Sequence, residues 1–477
     1  MRTAFCLVIL LGFAGVAPAQ AERYELGQRL KAFEKQWDKT TDEKLRKKAL
    51  ADLPKLTGLF FTNQFGQAGR TLDEARWILE GKQPSDDEKW AQSLYCDPET
   101  RFFEPGVGVL KVVVKSFYSL KANQPERLAV EFVVPGFVEP KRILLTKLPA
   151  AVTLQKIRIG DVYVRGSDIP LGMEVFLGDK SILKRSVDLS VGTDFGKGFP
   201  LAKDLSARAK KALAPDSIEA ATALDRIETV AELSKGTAQE TDIPAGKLLR
   251  ELDEMMKLGE ASKPFFTADR PGQFWLSIPV ENSRTACRLF VPKGLDPEKP
   301  VPLVVALHGA GGSENLFFEG YGDGQIVKLC EKRGWMLVSP RSGLSFVGGG
   351  PPVGEIVNEL AKRYPIDPKA IFVVGHSMGA MQTIDAAQKY PGKFAGIAAF
   401  GGGGRVRKPE LFADLPTFIG VGDKDFALAQ ARALKKSLED GKAKSVTFQE
   451  YEGLEHLLIC REALPDAFVM FDKVFKK

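Results

Sequence analysis

Uninterrupted apolar runs, which alternate with stretches of helix-forming composition, constrain the fold of this 477-residue chain more than any other feature. The runs occupy residues 303–307, 336–338, 371–374, 394–400 and 417–421. A strand that helices cover on both faces needs no polar side, so such runs are typical of a parallel sheet. The intervening residues 381–390 and 427–438 favour helices. For residues 264–477 we therefore predict an α/β fold, a mostly parallel sheet flanked by helices.

The residues before position 264 differ in composition and predict three further regions. Residues 22–100 are charged, with apolar side chains at helical spacing, and predict a helical N-terminal region. Residues 101–198 are β-rich, with glycines and prolines between the runs, and predict a small all-β, sandwich-like domain. Residues 199–263 are typical of a docked helical connector. Nothing before residue 260 carries a recognisable chemical motif, so a substrate-positioning module and a purely structural role both stay open.

Two patterns in these upstream regions predict local structure. Thr71, followed three residues later by Glu74, is typical of a capping box and predicts that a helix begins there. In the β-rich region, residues 109–114, 127–134 and 152–159 predict strands. Neither pattern indicates a chemical site.

The first 21 residues predict a signal peptide. Arg2 precedes an uncharged apolar run over 3–16, and Ala19-Gln20-Ala21 is the small-x-small pattern after which signal peptidase cuts. The run is too short to span a bilayer comfortably, although an uncleaved N-terminal anchor is the alternative interpretation. We therefore expect an exported protein, periplasmic or extracellular, with no stable membrane insertion after cleavage of the signal.

Composition excludes several other classes of protein. Hydrophobic residues make up 44% and charged residues 27%, which is typical of a globular chain rather than a disordered, collagen-like or multi-span membrane protein. The formal charge of +6 is modest and both signs are mixed along the chain, so we expect no nucleic-acid partner.

The cysteines and histidines indicate neither a disulfide framework nor a metal site. Beyond the leader, the cysteines are Cys96, Cys287, Cys330 and Cys460. They are too few for a framework, although one or two bridges are compatible with an oxidising compartment. Cys330 lies in a helix-like stretch and is interpreted as a buried thiol. With three histidines and no C-x-x-C pair, we expect no metal.

The strongest chemical motif is Gly375-His376-Ser377-Met378-Gly379. It follows an apolar strand-like run and precedes a helix-like stretch, which is the context that a G-x-S-x-G nucleophile elbow requires. On such a sharp turn the serine hydroxyl is exposed above the sheet, and glycines on both sides let strand and helix approach each other. The motif predicts Ser377 as a nucleophile, against a coincidental turn.

A serine hydroxyl needs a base to take its proton, and only three histidines are available. His376 adjoins the serine on the strained turn, where its side chain should point away from the serine side chain. His308 precedes the serine and belongs to a glycine-rich segment of another kind. His456, which follows the last predicted strand at 446–451, is therefore the predicted base.

The acid that orients the base should lie between serine and histidine, at the end of a strand, because this arrangement runs Ser…Asp/Glu…His. Asp423 and Asp425, both after the strand 417–421, qualify. The G-x-x-D spacing from Gly422 favours Asp425. Asp423 stays the alternative acid, or it braces the turn or caps the following helix.

The segment His308-Gly309-Ala310-Gly311-Gly312 follows the run 303–307 and predicts an oxyanion loop. Its backbone N–H groups could stabilise a developing oxyanion together with the N–H of Met378. We favour Ala310 as the donor from this loop, with Gly311 as its competitor. A nucleotide-binding fingerprint would need glycine where Glu314 stands, so that interpretation fails. The glycines at 401–404 are interpreted as a tight turn that borders the pocket.

Residues 264–477 resemble α/β-hydrolases of the extracellular serine esterase group. The likeness is carried by residues 307–312, 375–379, 422–425 and 453–456. It is nearest to polyhydroxybutyrate-depolymerase-like and feruloyl-esterase-like enzymes, with dienelactone hydrolases and prolyl-oligopeptidase catalytic domains further off. The resemblance implies an α/β-hydrolase catalytic domain, an acyl-enzyme intermediate, no cofactor and a triad of Ser377, Asp425 and His456.

From the motifs and the resemblance together, we predict a serine esterase that transfers an acyl group to water. Polysaccharide-linked esters, polyesters and small soluble esters are all compatible substrates. A prolyl-oligopeptidase-like peptidase is the first alternative, although the N-terminal half shows no propeller-like repeat. A secreted binding protein on an inactive hydrolase scaffold is the second, although no position of the predicted triad is lost.

Overall fold

The computed structural model describes residues 18–103, 109–135, 142–155, 166–191, 200–237, 240–281, 283–343 and 350–476. Most of the predicted signal peptide, residues 1–17, and the end of the predicted strand 152–159 lie outside these residues. Among the described residues, no helix has the length and apolarity needed to cross a membrane. Also among these residues, Cys96, Cys287, Cys330 and Cys460 are buried free thiols.

Helices form the N-terminal part of the fold. They are α1 (Pro18–Lys39), α2 (Glu43–Leu50), α3 (Leu56–Phe61), α4 (Phe65–Leu79) and α5 (Asp86–Ser93), with a 3-10 turn at Leu53–Lys55. Capping explains where α2 and α5 begin: Asp42 accepts from the N–H of Lys44, and Ser85 forms a capping box with Glu88. The predicted helix start at Thr71 is wrong. The Thr71 hydroxyl donates to the Gln67 carbonyl one turn earlier, so the residue lies within α4.

Two sheets follow these helices and share one hydrophobic core. The strands are β1 (Leu94–Pro98), β2 (Phe102–Phe103), β3 (Val109–Ser116), β4 (Leu128–Val133), β5 (Arg142–Leu144), β6 (Ala150–Gln155), β7 (Ser167–Leu177) and β8 (Lys180–Val191). One sheet has the order β1-β3-β6 and the other β2-β8-β7-β4-β5. Alternate residues of both sheets, such as Val112 and Val130, point into the common core.

Three helices connect this β-rich part to the large sheet. They are α6 (Pro200–Ala212), α7 (Ile218–Ser234) and α8 (Ala245–Glu260). The apolar face of α8 is buried through Leu252, Met255 and Met256, which belong to the core of the large sheet. The side chain of Thr222 on α7 accepts a hydrogen bond from the N–H of Ser277, at 2.9 Å, so α7 is docked directly on the first strand of that sheet.

The large sheet has eight strands in the order β16-β15-β14-β13-β11-β12-β10-β9. The strands are β9 (Gly272–Val280), β10 (Ser283–Val291), β11 (Val301–Leu307), β12 (Met336–Pro340), β13 (Ile366–His376), β14 (Gly396–Phe400), β15 (Thr417–Gly422) and β16 (Val446–Tyr451). Strands β11 to β16 are parallel, and β9 and β10 pair antiparallel. Because parallel strands share an orientation, the loops after β11, β13, β15 and β16 meet at one edge.

Helices cover both faces of this sheet. They are α9 (Gln325–Arg333), α10 (Val353–Ala361), α11 (Met378–Lys389), α12 (Leu428–Asp440) and α13 (Ile459–Phe475), with a π-helical turn at Leu316–Gly320 and a 3-10 turn at Pro409–Phe412. Alternate residues of β11 enter different cores: Val305 packs with α10 and α12, whereas Val304 packs with α9 and α13. The predicted α/β fold is confirmed, and its apolar runs are strands with two buried faces.

Candidate active site

Ser377 lies on a sharp turn between β13 and α11, with φ 56° and ψ −113°. This conformation is strained for a residue with a side chain, and it persists because the surroundings hold it. The Ser377 N–H donates to the Phe400 carbonyl of the neighbouring strand at 2.9 Å. A Cβ at Gly375 or at Gly379 would overlap backbone carbonyl groups, so only glycine permits this crossing of strand and helix.

His456 and Asp425 form a buried pair at the same edge of the sheet. Nδ1 of His456 lies 2.9 Å from Oδ1 of Asp425, and both side chains are almost fully buried. A carboxylate can only accept, so Nδ1 donates this hydrogen bond, and Nε2 is the acceptor nitrogen of the neutral ring in that tautomer. Nε2 has no hydrogen-bond partner among the described residues. The pair therefore presents an unoccupied, buried acceptor nitrogen.

Gly401 and Gly402, directly after β14, place Ser377 beside this pair. A Cβ on Gly401 would lie 2.8 Å from Oδ2 of Asp425 and 3.1 Å from Nδ1 of His456. A Cβ on Gly402 would lie 2.8 Å from the carbonyl oxygen of Ser377. Two adjacent residues thus contact the three predicted triad members. The serine hydroxyl and His456 Nε2 are not hydrogen-bonded, and in unliganded enzymes such bonds are often long.

Asp423 lies near the same turn, and among the described residues its carboxylate pairs with groups other than His456. Its Oδ1 accepts from the N–H of Gly453 at 2.7 Å, and its Oδ2 pairs with Lys424 at 3.1 Å. Asp425 also accepts from the N–H of Ala427 at 2.8 Å, which fixes the carboxyl group that faces the histidine. The two aspartates therefore have separate contacts: Asp423 braces the loop before His456, and Asp425 holds its ring.

The other two histidines are buried and fully engaged. Nε2 of His308 accepts from the N–H of Ser342 at 2.9 Å, so its Nδ1 donates to the Gly309 carbonyl at 2.8 Å. Nε2 of His376 donates to the His456 carbonyl at 2.8 Å, and its Nδ1 accepts from Tyr321 at 2.6 Å. Burial lowers the pKa of His308 and lowers that of His376 further, so both rings are neutral.

The glycine-rich loop after β11 lies directly against Ser377. A Cβ on Gly309 would be 3.4 Å from Cβ of Ser377. Within the part of the chain that the structure describes, the N–H groups of Met378, Ala310 and Gly311 donate no hydrogen bond. Gly311 has φ 81°, and the next N–H, of Gly312, turns back to the Gly309 carbonyl at 3.2 Å. Unpaired amides beside a serine are the donors that an oxyanion hole needs.

Several contacts around the site could not be found from sequence motifs. Tyr321, at the end of the π-helical turn, links His376 to the oxyanion loop because its hydroxyl also accepts from the N–H of Gly309, at 3.4 Å. Phe426 is 58% exposed, and its ring centroid lies 4.3 Å from that of His456. No local pattern marks either residue.

The sheet, the elbow and the loops at its carboxyl edge define the C-terminal part of the chain as an α/β-hydrolase fold. Residues 352–468 match the family model described as phospholipase/carboxylesterase. This segment includes the elbow, the aspartate turn and the loop with His456. The predicted resemblance to α/β-hydrolases of the serine esterase group is confirmed.

Curated proteins with similar sequences are named as esterases. The probable acetylxylan esterase A of Aspergillus clavatus is 28% identical over 129 residues, which are 24% of this chain and 40% of that protein. The feruloyl esterase B of Thermothelomyces thermophilus is 29% identical over 129 residues, 24% of this chain and 43% of that protein. The chain thus spans less than half the length of these relatives.

Solved structures of esterases also match. The feruloyl esterase module from Clostridium thermocellum complexed with sinapinate has 15% identity and a TM-score of 0.37, over 42% of this chain and 87% of that one. A thermostable esterase has 17% identity and a TM-score of 0.39, over 81% of this chain and 99% of that one.

Proposed function

We propose that this protein is a carboxylic ester hydrolase with Ser377 as nucleophile, His456 as base and Asp425 as the acid that orients the base. The observation that carries the proposal is the buried Asp425–His456 pair, 2.9 Å apart, whose Nε2 has no partner among the described residues and which Gly401 and Gly402 connect to Ser377. The match of residues 352–468 to a carboxylesterase family supports it.

The reaction proceeds in two steps. Ser377 attacks the ester carbonyl while Nε2 of His456 takes the hydroxyl proton. His456 then gives this proton to the departing alkoxide oxygen, which leaves as the alcohol. The acyl group stays on Ser377 until His456 activates a water molecule, which releases the acid. Asp425 holds the imidazole tautomer and stabilises the imidazolium form.

The free amides of Met378 and of the loop at Ala310 and Gly311 receive the negative charge of each tetrahedral intermediate. One such donor contributes roughly 10²- to 10³-fold to the rate. Because these N–H groups donate to none of the described residues, they are preorganised for the oxyanion. No cofactor takes part in this scheme.

We propose that the substrates are plant or microbial polysaccharides that carry ester-linked acyl groups. Relatives named as acetylxylan and feruloyl esterases support this class. The exposed ring of Phe426 beside His456 gives the open side of the site an aromatic surface, which suits an acyl group with an apolar or aromatic body. Polyesters are the alternative substrate class, and the substrate panel below includes a hydroxybutyrate oligomer to test it.

We propose further that the chain is exported and cleaved after Ala21, so that the mature protein begins at Glu22. The charge at Arg2, the apolar run 3–16 and the small-x-small pattern support this. Mass spectrometry of the protein recovered from the periplasm or medium of an expressing cell should give Glu22 as the first residue. A protein that still contains residues 1–21 and stays with the membrane would indicate an uncleaved anchor instead.

The decisive experiment on the activity uses Ser377→Ala. We expect complete loss of p-nitrophenyl acetate hydrolysis and of labelling by a fluorophosphonate probe. Ser339→Ala, on β12 of the same sheet, is the matched control and should retain both. Labelling that persists in Ser377→Ala would contradict the assignment of Ser377 as the nucleophile. Acetylated xylan, methyl ferulate, a hydroxybutyrate oligomer and a prolyl peptide then rank the substrate classes, and preferred cleavage of the peptide would contradict the esterase proposal.

A further inference from the structure

The N-terminal helices contact the oxyanion loop directly. The guanidinium of Arg23, on α1, donates to the Gly311 carbonyl. The ring of Phe60, on α3, lies so close that a Cβ on Gly311 would be 3.0 Å from its Cζ. The Arg23 guanidinium also lies 5.9 Å from the centre of the Phe60 ring, within the range of a cation–π contact. Two residues from the start of the chain thus meet on one glycine of the proposed oxyanion loop.

The same helices also contact the loop with the proposed base. The hydroxyl of Thr57, on α3, donates to the Glu455 carboxyl group at 3.4 Å. Glu455 precedes His456, and it accepts from the N–H groups of Leu457 and Leu458 at 2.9 and 3.1 Å. Helix α3 therefore contacts both of the loops that supply the proposed oxyanion donors and the proposed base.

We propose that helices α1 and α3 complete the active site, with Arg23 and Phe60 as positioning residues that set the conformation of the oxyanion loop. The inference rests on the proposed function of Ser377 and His456. It assigns to the N-terminal helical region a role in catalysis that no motif in that region indicates.

The physical reason lies in the glycine content of the loop. Gly309, Gly311 and Gly312 have wide conformational freedom, so the loop alone does not hold its peptide planes in one orientation. A charged donor on the Gly311 carbonyl fixes the Gly311–Gly312 peptide plane, which directly follows the plane that carries the Gly311 N–H, and the Phe60 ring blocks movement of the loop toward α3. An oxyanion hole works only when its N–H groups are already aimed at the developing charge. Arg23 and Phe60 supply that preorganisation.

The helices do not need these two contacts in order to stay docked. Leu458 belongs to the same hydrophobic core as Phe33 and Leu56 of α1 and α3. Arg461, on α13, pairs with Glu34 of α1 at 2.5 Å. Removal of the Arg23 side chain therefore leaves the main anchors in place, and a catalytic defect can be separated from a loss of fold.

The test compares Arg23→Met with Arg46→Met in the full chain. Arg46 makes the same kind of contact in the same region, to the Trp37 carbonyl at 3.1 Å and over the Trp37 ring, but not to the oxyanion loop. We expect Arg23→Met to lower kcat for p-nitrophenyl acetate about tenfold or more, since misaimed donors lose part of the 10²- to 10³-fold contribution of each. KM should stay within about twofold, because an oxyanion forms only after binding. Arg23→Lys should restore part of kcat.

A second readout reports the oxyanion hole itself. An aryl trifluoromethyl ketone forms a tetrahedral adduct with the serine, so its affinity should fall in parallel with kcat in Arg23→Met and in Phe60→Leu. Arg46→Met should keep kcat, KM, this affinity and the thermal midpoint. The inference is overturned if kcat and inhibitor affinity are unchanged in both loop-contact variants, or if Arg46→Met shows the same loss. Activity that survives in Ser377→Ala would instead overturn the proposed function.

Discussion

Nε2 of His376 donates to the carbonyl oxygen of His456 at 2.8 Å, so the residue beside the proposed nucleophile holds the backbone of the proposed base. Nδ1 of the same ring accepts from Tyr321, whose hydroxyl in turn accepts from the N–H of Gly309. One buried chain of hydrogen bonds thus joins the elbow, the base loop and the oxyanion loop. Because both ring nitrogens are occupied, His376 cannot also serve as a base.

The variant Tyr321→Phe tests this chain of hydrogen bonds. The variant leaves Nδ1 of His376 and the N–H of Gly309 without a partner, and an unpaired buried polar group costs about 1–3 kcal/mol. We expect the free energy of unfolding to fall by about that amount and kcat to fall with it. Tyr364→Phe is the control, because its buried hydroxyl has no partner among the described residues and should be dispensable. Equal effects of the two variants would contradict a special role for Tyr321.

The two aspartates after β15 give the second prediction. Asp425→Asn keeps the shape of the side chain but presents an amide to Nδ1 of His456, which permits the wrong tautomer, so kcat should fall by about 10⁴-fold. Asp423→Asn keeps an oxygen that can accept from the Gly453 N–H and loses only the charge that pairs with Lys424, so its effect should be within about tenfold. Steady-state kinetics on p-nitrophenyl acetate decide the ranking, and the reverse order would exchange the two roles.

The C-terminal fold could be predicted from the sequence because its signals are local. Five apolar runs indicate strands with two buried faces, and G-x-S-x-G after one of them indicates an elbow. The small number of histidines constrained the choice of the base in the same way, since His308 and His376 had competing explanations and His456 had none. The structure places Asp425, rather than Asp423, against that ring.

The contribution of the N-terminal helices could not be predicted, for a physical reason. Thr57 and Glu455 are separated by 398 positions in the sequence and meet only through tertiary packing. Neither Arg23 nor Phe60 belongs to a motif, and each is an ordinary residue of an amphipathic helix. At Thr71 the sequence instead predicted a feature that is not there. A capping pattern occurs by chance inside α4, where the Thr71 hydroxyl donates to the Gln67 carbonyl.

Glu455 gives a prediction about pH and stability. Burial raises the pKa of its carboxyl group to about 8, and the nearby Asp425 adds to this, whereas hydrogen bonds from Leu457 and Leu458 oppose it. An unfolded glutamate has a pKa of about 4.3. Between these values the folded state binds more protons than the unfolded state, so stability falls as pH rises from about 4.3 through 8.

Glu455→Gln removes this titration while it keeps the contacts. The amide oxygen can still accept from Leu457 and Leu458, and the amide nitrogen can donate to Thr57. We expect the unfolding midpoint of the variant to decline less between pH 6 and pH 9 than that of the wild type. Glu450→Gln is the control, because Glu450 is surface-placed on β16 and the pKa of its carboxyl is lowered, chiefly by its hydrogen bond to Arg432. Parallel midpoint curves for wild type and Glu455→Gln would refute the assignment.

Gly401→Ala tests how tightly the backbone encloses the proposed base and acid. The glycine has φ 52°, and a methyl group there would lie 2.8 Å from Oδ2 of Asp425 and 3.1 Å from Nδ1 of His456. Real Cβ contacts are longer than this, so the Asp425–His456 pair must shift, and a displacement of about 1 Å can cost on the order of 10²-fold in rate.

The control is Gly392→Ala, in the loop after α11, where φ is 74° but, apart from its two chain neighbours, no described residue lies within 4 Å of the added methyl group. Both variants carry the strain of a side chain in the left-handed region, about 1–2 kcal/mol, but only Gly401→Ala displaces the pair. We therefore expect similar losses of unfolding free energy from this strain, with a large additional loss of kcat and of fluorophosphonate labelling in Gly401→Ala alone. If Gly401→Ala kept wild-type kcat, Asp425 and His456 would tolerate a shift that no orienting pair should tolerate, and their proposed role would be wrong.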